Sequence, residues 1–166
     1  MKRSGSGKTQ VASGETADGT IDFAELPTYV GYQVRRTQAQ LFSELEGALK
    51  AFDLTPGSFG VLTLIDANPG ITQGTLAGAF GVDKSTMSPV IFRLEQRGLV
   101  RREVLASDRR RHALFLADAA EPAYRAARDT VQAVEAGIAA RLTRAEQREL
   151  ERLLVKLQGG GGHGKS

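Results

Sequence analysis

Residues 72–100, TQGTLAGAFGVDKSTMSPVIFRLEQRGLV, contain two short helical patterns separated by a turn, and this stretch determines the predicted fold. The first pattern begins at Thr72, whose hydroxyl group can cap the helix by accepting a hydrogen bond from a free amide, and it ends at Gly81. The second pattern begins at Asp83 and ends at Gly98. Two short helices joined by a glycine-containing turn are typical of a helix-turn-helix, whose second helix enters the major groove of DNA.

The second helix has two chemically different faces. Its apolar residues recur at three- and four-residue spacing, and they are Met87, Val90, Ile91 and Leu94. Many amphipathic helix pairs only pack a core, so the chemistry of the other face decides the interpretation. That face carries hydroxyl groups and cations, which suit contacts with phosphates and base edges. Together with Thr72, the residues predicted to bind DNA here are Lys84, Ser85, Thr86, Ser88 and Arg93.

A ribbon of two strands is predicted directly after this helix, over residues 99–116, with its turn at residues 106–110. A ribbon at this place is the wing of a winged helix. The tip of the wing then carries four charged residues, Asp108, Arg109, Arg110 and Arg111. Arginines on such a projection can enter a narrow, electronegative minor groove, and Asp108 can orient one guanidinium group through a bidentate pair. These four residues complete the predicted DNA-binding set.

Several short motifs occur in order along this region and its flanks. They are Leu54-Thr55-Pro56 with Phe59 and Leu62, Pro69-Gly70-Ile71-Thr72-Gln73, Leu76-Ala77, Val82-Asp83-Lys84-Ser85-Thr86-Met87-Ser88, Arg93-Leu94-Glu95, Arg97-Gly98-Leu99-Val100 with Arg102, and Asp108-Arg109-Arg110. With these motifs, residues 54–116 resemble the winged-helix core of the MarR family of bacterial transcriptional regulators, and a weaker resemblance covers residues 25–157. One departure is Leu116-Ala117-Asp118-Ala119-Ala120, where the family usually has Leu-Thr and a Gly.

The resemblance implies a homodimer that binds a pseudo-palindromic, inverted-repeat operator in double-stranded DNA and releases it when a small ligand binds. Among regulators, the resemblance to this family favours a repressor over an activator. It also implies a ligand pocket where the long helices meet the winged helix, and the aromatic and basic residues there favour an aromatic carboxylate or an acyl thioester as the effector. The alternative is that these aromatic residues only pack a core. The residues concerned are Tyr29, Tyr32, Arg35, Arg36 and Gln40, with Phe59 from the next helix.

The flanking segments predict the domain organisation. The fold class is mainly α with a small β-wing, and a helical dimerisation lobe accompanies the DNA-binding lobe. The chain is divided into a flexible N-terminal arm (1–22), a first dimerisation and ligand-pocket helix (23–53), the winged helix-turn-helix lobe (54–116), C-terminal dimerisation helices (117–158) and a flexible Gly-rich tail (159–166).

Helix boundaries in the flanks are predicted from capping signals. The first helix begins at Leu26 or Pro27 and continues to Phe52, and the next begins at Thr55 followed by proline. Asp118 with Glu121, and Thr143 with Glu146, have the spacing of a capping box.

The first and last helices are apolar and far apart in the sequence, which favours a dimer interface over an intramolecular bundle in a monomer. The leucine face of the last helix consists of Leu150, Leu153, Leu154 and Leu157.

Composition excludes several other functions. The chain has 166 residues, a net charge of +3 and no cysteine, which excludes disulfides and a thiol-based sensor. Residues 80–112 nevertheless contain eight Lys and Arg against four Asp and Glu, so the positive charge is local. The polar N-terminus lacks the apolar segment of a signal peptide, and a cytoplasmic location is expected.

Motifs of enzymes and of cofactor or metal sites are missing from the sequence. It has no phosphate-binding glycine loop, and its two histidines, His112 and His163, are 51 positions apart. We therefore expect no enzymatic activity, no cofactor and no metal. The alternative to a DNA-binding regulator is a winged helix that binds another protein.

Overall fold

The computed structural model describes the backbone of residues 14–16, 19–105 and 108–159, and the side chains of residues 21–104 and 112–159. The chain divides into two compact units, residues 1–43 and 44–166. Within the described part, helices predominate and a three-stranded antiparallel sheet lies in the second unit. The predicted fold class, mainly α with a small β-wing, is confirmed. None of the described helices combines the length and the hydropathy needed to cross a bilayer.

The first unit contains a short ribbon and most of the first helix. Strands β1 (Gly14–Thr16) and β2 (Gly19–Ile21) pair antiparallel, a feature that the sequence analysis did not predict. Helix α1 (Val30–Leu49) begins here and ends in the second unit. The flexibility predicted for the N-terminal arm stays a prediction, and residues 1–13 and 160–166 lie outside the described residues.

The first helix is shorter at both ends than predicted. A separate 3-10 turn covers Leu26–Thr28, and Tyr29 then adopts an extended conformation with φ −83° and ψ 126°. At the other end, Lys50–Phe52 form a second 3-10 turn, which ends at Asp53 with a left-handed φ of 53°. The prediction of one uninterrupted helix to Phe52 was therefore wrong, because two changes of backbone conformation divide the segment into three elements.

Helix α2 (Pro56–Ala67) begins as predicted. The Thr55 hydroxyl accepts a hydrogen bond from the Ser58 amide at 3.1 Å, and the Ser58 hydroxyl accepts one from the Thr55 amide at 2.8 Å. This reciprocal capping box satisfies two backbone amides that the helix itself leaves free.

The helix-turn-helix consists of α3 (Gln73–Ala79) and α4 (Lys84–Gln96), and its N-caps are the predicted residues Thr72 and Asp83. Each helix ends at a glycine with positive φ, 63° at Gly81 and 66° at Gly98. In both cases the glycine amide bonds the carbonyl three residues earlier, and the next amide bonds the carbonyl five residues earlier. This is the Schellman motif, which stops each helix at a defined residue.

The sheet has the order β3–β5–β4, formed by β3 (Ile71–Thr72), β4 (Val100–Leu105) and β5 (Asp108–Leu116). The two wing strands were predicted, but β3 was not. Because β3 is only two residues long and pairs with residues 113–114, its partner is distant in the sequence and no local pattern reveals it.

The return strand of the wing begins earlier than predicted. We expected a turn over residues 106–110, but β5 already begins at Asp108. The register shifts at the tip, since Val104 lies opposite His112 whereas Leu105 lies opposite Asp108. The three consecutive arginines, residues 109–111, therefore lie on β5 within the shifted segment and not in the turn.

The C-terminal helices are α5 (Glu121–Ala139) and α6 (Arg144–Leu157). The cap predicted at Asp118 was wrong, because Asp118 begins a 3-10 turn and the N-cap of α5 is Ala120, which makes no side-chain capping bond. The capping box predicted for α6 is confirmed. The carboxylate of Glu146 accepts a hydrogen bond from the Thr143 amide at 2.8 Å.

One hydrophobic core lies in the second unit. It is built by the last turn of α1, by helices α2 to α5 and by the sheet, and its largest fully buried side chains are Leu49, Val61, Leu62, Ile65, Leu76, Ile91, Leu94 and Leu114. The core therefore joins the helix-turn-helix to the base of the wing.

Adjacent residues of α4 should respond differently to truncation. Ile91 is fully buried, whereas the side chain of Phe92 is 55% exposed. We expect Ile91→Ala to lower the free energy of unfolding by about 2–5 kcal/mol, because the lost contacts leave a cavity. The matched variant Phe92→Ala should change it by less than about 0.5 kcal/mol. Urea unfolding followed by circular dichroism measures both, and equal losses would contradict the orientation of α4.

Candidate nucleic-acid interface

Burial of one side of α4 determines which residues face outward. Met87, Ile91 and Leu94 are at most 3% exposed and pack in the core, as predicted, whereas Val90 is only half-buried. Because an α-helix has 3.6 residues per turn, the side opposite these residues is directed away from the core. That side is therefore available to an external partner.

The outward face contains the residues of α4 that were predicted to bind DNA and three that were not predicted. Ser88 is half-buried at its edge. The prediction considered only hydroxyl groups and cations and therefore did not include Pro89, Phe92 and Gln96. Their spacing from Ser85 nevertheless places them on the same face. The exposed residues are Lys84, Ser85, Thr86, Pro89, Phe92, Arg93 and Gln96.

The first turn of α4 is held by Asp83. Its carboxylate accepts hydrogen bonds from the Ser85 hydroxyl at 2.6 Å and from the Thr86 amide at 2.7 Å. These bonds, that of Ser85 above all, lower the pKa of Asp83 from 3.8 to about 2. Because the Ser85 hydroxyl donates its hydrogen to Asp83, its lone pairs remain as acceptors, which suits the amino groups of adenine or cytosine.

Two cations of α4 remain available for DNA. Lys84 and Arg93 form no ion pair with any acid in the described part of the chain. The Nε of Arg93 donates to the Pro89 carbonyl at 3.3 Å, which holds the arginine side chain along the helix. Lys84 lies across the first turn of α3, since its Cε is 3.1 Å from the position that a Cβ at Gly74 would take. Both cations therefore border the outward face.

A side-chain hydrogen bond also joins the two helices of the motif. The Nε2 of Gln73 donates to the backbone carbonyl of Lys84 at 3.1 Å. The start of α4 is thereby positioned relative to the start of α3. Thr72, which we predicted to bind DNA, is half-buried, and its hydroxyl accepts a bond from the Thr75 amide at 3.3 Å.

Other basic residues of this region have intramolecular partners. Arg102 on β4 forms an ion pair with Glu95 on α4 at 2.8 Å, and both side chains are about a third exposed or less. Arg101 pairs with Glu103 and lies over the ring of Phe115, with its guanidinium carbon 4.4 Å from the ring centroid. These arginines stabilise the base of the wing and its contact with α4.

Arg97, the C-cap of α4, connects this helix to the end of the first helix. Its guanidinium group donates to the carbonyl oxygens of Phe52, at 3.1 Å, and of Asp53, and it also pairs with the Asp53 carboxylate at 3.3 Å. Both ends of α4 are thus attached to neighbouring elements, the first by Gln73 and the second by Arg97.

The predicted wing contacts concern Asp108, Arg109, Arg110 and Arg111. The structure places their backbone on β5 at the tip of the wing, but their side chains lie outside the described residues. Their contacts with DNA therefore stay predictions.

Only part of the predicted ligand site is brought together within the first unit. The Arg36 guanidinium carbon lies 5.8 Å from the ring centroid of Tyr32, and the Tyr32 ring is 6.4 Å from that of Phe23. The Tyr29 hydroxyl donates to Glu25 at 3.4 Å. Arg35 and Gln40 are exposed, and Phe59 belongs to the second unit, 6.0 Å from the ring of Tyr124.

Metal binding is not indicated in the described ranges, where no three His, Asp or Glu side chains are grouped as a metal would require.

The low pKa of Asp83 predicts an acid-dependent contribution to stability. Because the folded-state pKa, about 2, lies below the ordinary value of 3.8, the contribution is complete above pH 3.8 and is lost as the pH falls towards 2. Asp83→Ala should lower Tm at pH 7, and its deficit relative to the wild type should shrink in this interval. Thermal unfolding at several pH values measures the effect. Asp83→Asn, which keeps a capping acceptor that does not titrate, is the control, and a constant deficit of the alanine variant would contradict the assignment.

Known proteins resemble this chain over most of its length. Residues 54–112 match the model of the MarR family. A transcriptional regulatory protein for the hcr operon of Thauera aromatica is 33% identical over 129 residues, which are 77% of this chain and 78% of that protein.

Two solved structures are also similar. The transcriptional repressor CouR bound to a 23-mer DNA duplex has a TM-score of 0.78 and 31% identity, with 83% of this chain and 98% of that chain covered. The MarR-family protein Rv2887 of Mycobacterium tuberculosis in complex with p-aminosalicylic acid has a TM-score of 0.60 and 32% identity, with 78% and 98% covered. From its sequence and its fold, this chain belongs to the MarR family of transcriptional regulators.

Proposed function

We propose that this chain is a cytoplasmic, homodimeric transcriptional repressor that binds an inverted-repeat operator and releases it when a small molecule binds. The observation that carries the proposal is the outward face of α4. There a capped helix presents an acceptor at Ser85 beside the wing, together with Lys84 and Arg93, which pair with no acid among the described residues. Such a face matches both the phosphates and the base edges of DNA.

A dimer is supported by the last helix. None of its residues is buried, and Leu150, Leu153, Leu154 and Leu157 are between 38% and 61% exposed. An exposed leucine face of this size favours a partner helix. In this proposal residues 23–53 and 117–158 form the dimerisation lobe, and residues 54–116 form the DNA-binding lobe.

In the proposed complex, α4 of each protomer lies in the major groove and each wing approaches an adjacent minor groove. Ser85, Thr86, Ser88 and Arg93 face bases or phosphates, and Lys84 lies near the backbone. The half-sites of the operator are about one helical turn apart, ~10 bp, because the two-fold axis of the dimer matches that of the DNA.

Titration of the protein onto the DNA upstream of its own gene, with nonspecific competitor and at two salt concentrations, tests this proposal. We expect a discrete complex over an inverted repeat that weakens steeply with salt. Arg110→Ala should cost on the order of 1–3 kcal/mol per contact, because it removes a guanidinium group from the minor groove.

Arg148→Ala is the matched control, since Arg148 is exposed on α6, away from the wing, and should leave affinity unchanged. Unaltered affinity and sequence preference in the Arg110 variant would contradict the wing assignment. A protein with no preference for any operator over competitor DNA would instead support a winged helix that binds another protein.

An effector that is an aromatic carboxylate or its acyl thioester fits the first helix. Arg36 and Tyr32 already lie together, and a guanidinium group beside aromatic rings suits an aromatic anion. The 32% identical Rv2887 was solved in complex with p-aminosalicylic acid, which is an aromatic carboxylate. We propose that the site contains Tyr29, Tyr32, Arg35, Arg36 and Gln40 of the first unit.

Arg35→Ala separates effector binding from DNA binding. We expect the variant to keep operator affinity and to need a higher concentration of p-aminosalicylic acid for release, because it loses a cation that pairs with the carboxylate. Fluorescence anisotropy of a labelled operator measures both quantities, again with Arg148→Ala as the control. A loss of operator affinity with unaltered release would rule out this role for Arg35.

A further inference from the structure

The outward face of α4 contains an apolar strip that the polar contacts proposed above leave unused. Pro89 and Phe92 are three residues apart, so their side chains are neighbours on the helix surface. Both are exposed, and the exposed fraction of Phe92 is 55%. This strip lies on the side opposite the core, whose contact with α4 is made by Met87, Ile91 and Leu94.

Polar and charged residues surround the strip. Ser85 precedes it by one turn, and Arg93 and Gln96 lie beside it, all exposed. The bond from the Arg93 Nε to the Pro89 carbonyl holds the aliphatic part of the arginine along the helix, next to the strip. An apolar centre bordered by cations that pair with no acid in the described ranges suits a partner that is negatively charged at its edges and has apolar groups in its interior.

The major groove of DNA is such a partner. Its rims are phosphates, and the C5-methyl group of thymine is the large apolar group that its floor presents. Lys84 and Arg93 can approach the rims while Pro89 and Phe92 meet the floor, since all four lie on one exposed face. Phenylalanine gains little from a phosphate or a base amino group, but it excludes water when it packs against a methyl group.

We propose that Pro89 and Phe92 contact thymine methyl groups in each half-site and thereby determine part of the sequence specificity. This inference rests on the proposed function, because it requires that α4 enters the major groove. It specifies that each half-site has at least one thymine opposite the strip. It also assigns specificity to residues that make no hydrogen bond to DNA with their side chains.

Replacement of single thymines by uracil tests the inference, because uracil lacks only the methyl group and keeps the base pair. The operator is first mapped with the wild-type protein, and each thymine is then replaced in turn. We expect one or two positions per half-site at which the replacement lowers wild-type affinity by about four-fold, the effect of one buried methyl group. Phe92→Ala should bind the thymine operator about four-fold or more weakly.

The decisive quantity is the coupling between protein and DNA changes. At the sensitive position that Phe92 contacts, Phe92→Ala should bind thymine and uracil operators equally, and Phe92→Leu should keep part of the difference. Val155→Ala is the matched control, since Val155 is 50% exposed on α6, outside the proposed DNA-binding lobe, and its loss should leave the set of sensitive thymines unchanged.

An operator without sensitive thymines would overturn the inference, and so would a sensitivity that Phe92→Ala retains at every position. If Phe92→Ala binds the operator as the wild type does, the strip does not meet the groove, and the inference fails. If the wild type finds no operator, it is the proposed function that fails. Circular dichroism of the Phe92 variants verifies that they are folded.

Discussion

The orientation of α4 about its own axis determines which of its residues form the outward face. Ile91 is fully buried, and Met87 and Leu94 are nearly so. A shift of one residue in this packing would turn the helix by about 100° and would exchange buried and exposed positions. The N-cap at Asp83 and the left-handed Gly98 limit the helix to one length, so its packing register is also limited. The composition of the outward face follows from this inner contact.

The sequence contains many basic residues around α4 and the wing, but the structure pairs some of them with acids. Residues 80–112 contain eight basic residues, but Arg97, Arg101 and Arg102 have acidic partners within the chain. These three arginines hold the base of the wing and the end of α4, and they contribute less to an external field because their charges are partly compensated. Of the other five, Lys84 and Arg93 belong to α4, and residues 109–111 belong to β5.

Local chemistry predicted much of the fold. Helix caps depend on one residue and its immediate neighbours. The sequence therefore predicted the N-caps Thr55, Thr72, Asp83 and Thr143 and the glycines that end α3 and α4. Features that depend on distant partners were not readable. Strand β3 exists because it bonds β5 about forty residues later, and Ala120 instead of Asp118 caps α5 because the chain leaves the sheet through a 3-10 turn.

Only the polar part of the candidate surface could be predicted from the sequence. The polar residues of α4 were identified because hydroxyl groups and cations have an obvious chemistry towards DNA. The side chains of Pro89 and Phe92 have no such evident chemistry towards DNA. Only the orientation of the helix shows that they lie among the polar residues of the outward face. The intramolecular partners of Arg97 could not be inferred from spacing, because Phe52 and Asp53 precede it by more than forty positions. The ion pair of Arg102 was not predicted either.

The attachment of Arg97 has a mechanical consequence. Asp53 is a non-glycine residue with positive φ at the end of the first helix, and Arg97 binds the carbonyl oxygens there from the end of α4. A displacement of these carbonyl oxygens must either carry the end of α4 with it or exchange the hydrogen bonds of Arg97 for bonds to water. The position of the 3-10 turn that ends at Asp53 is therefore coupled to the position of the end of α4.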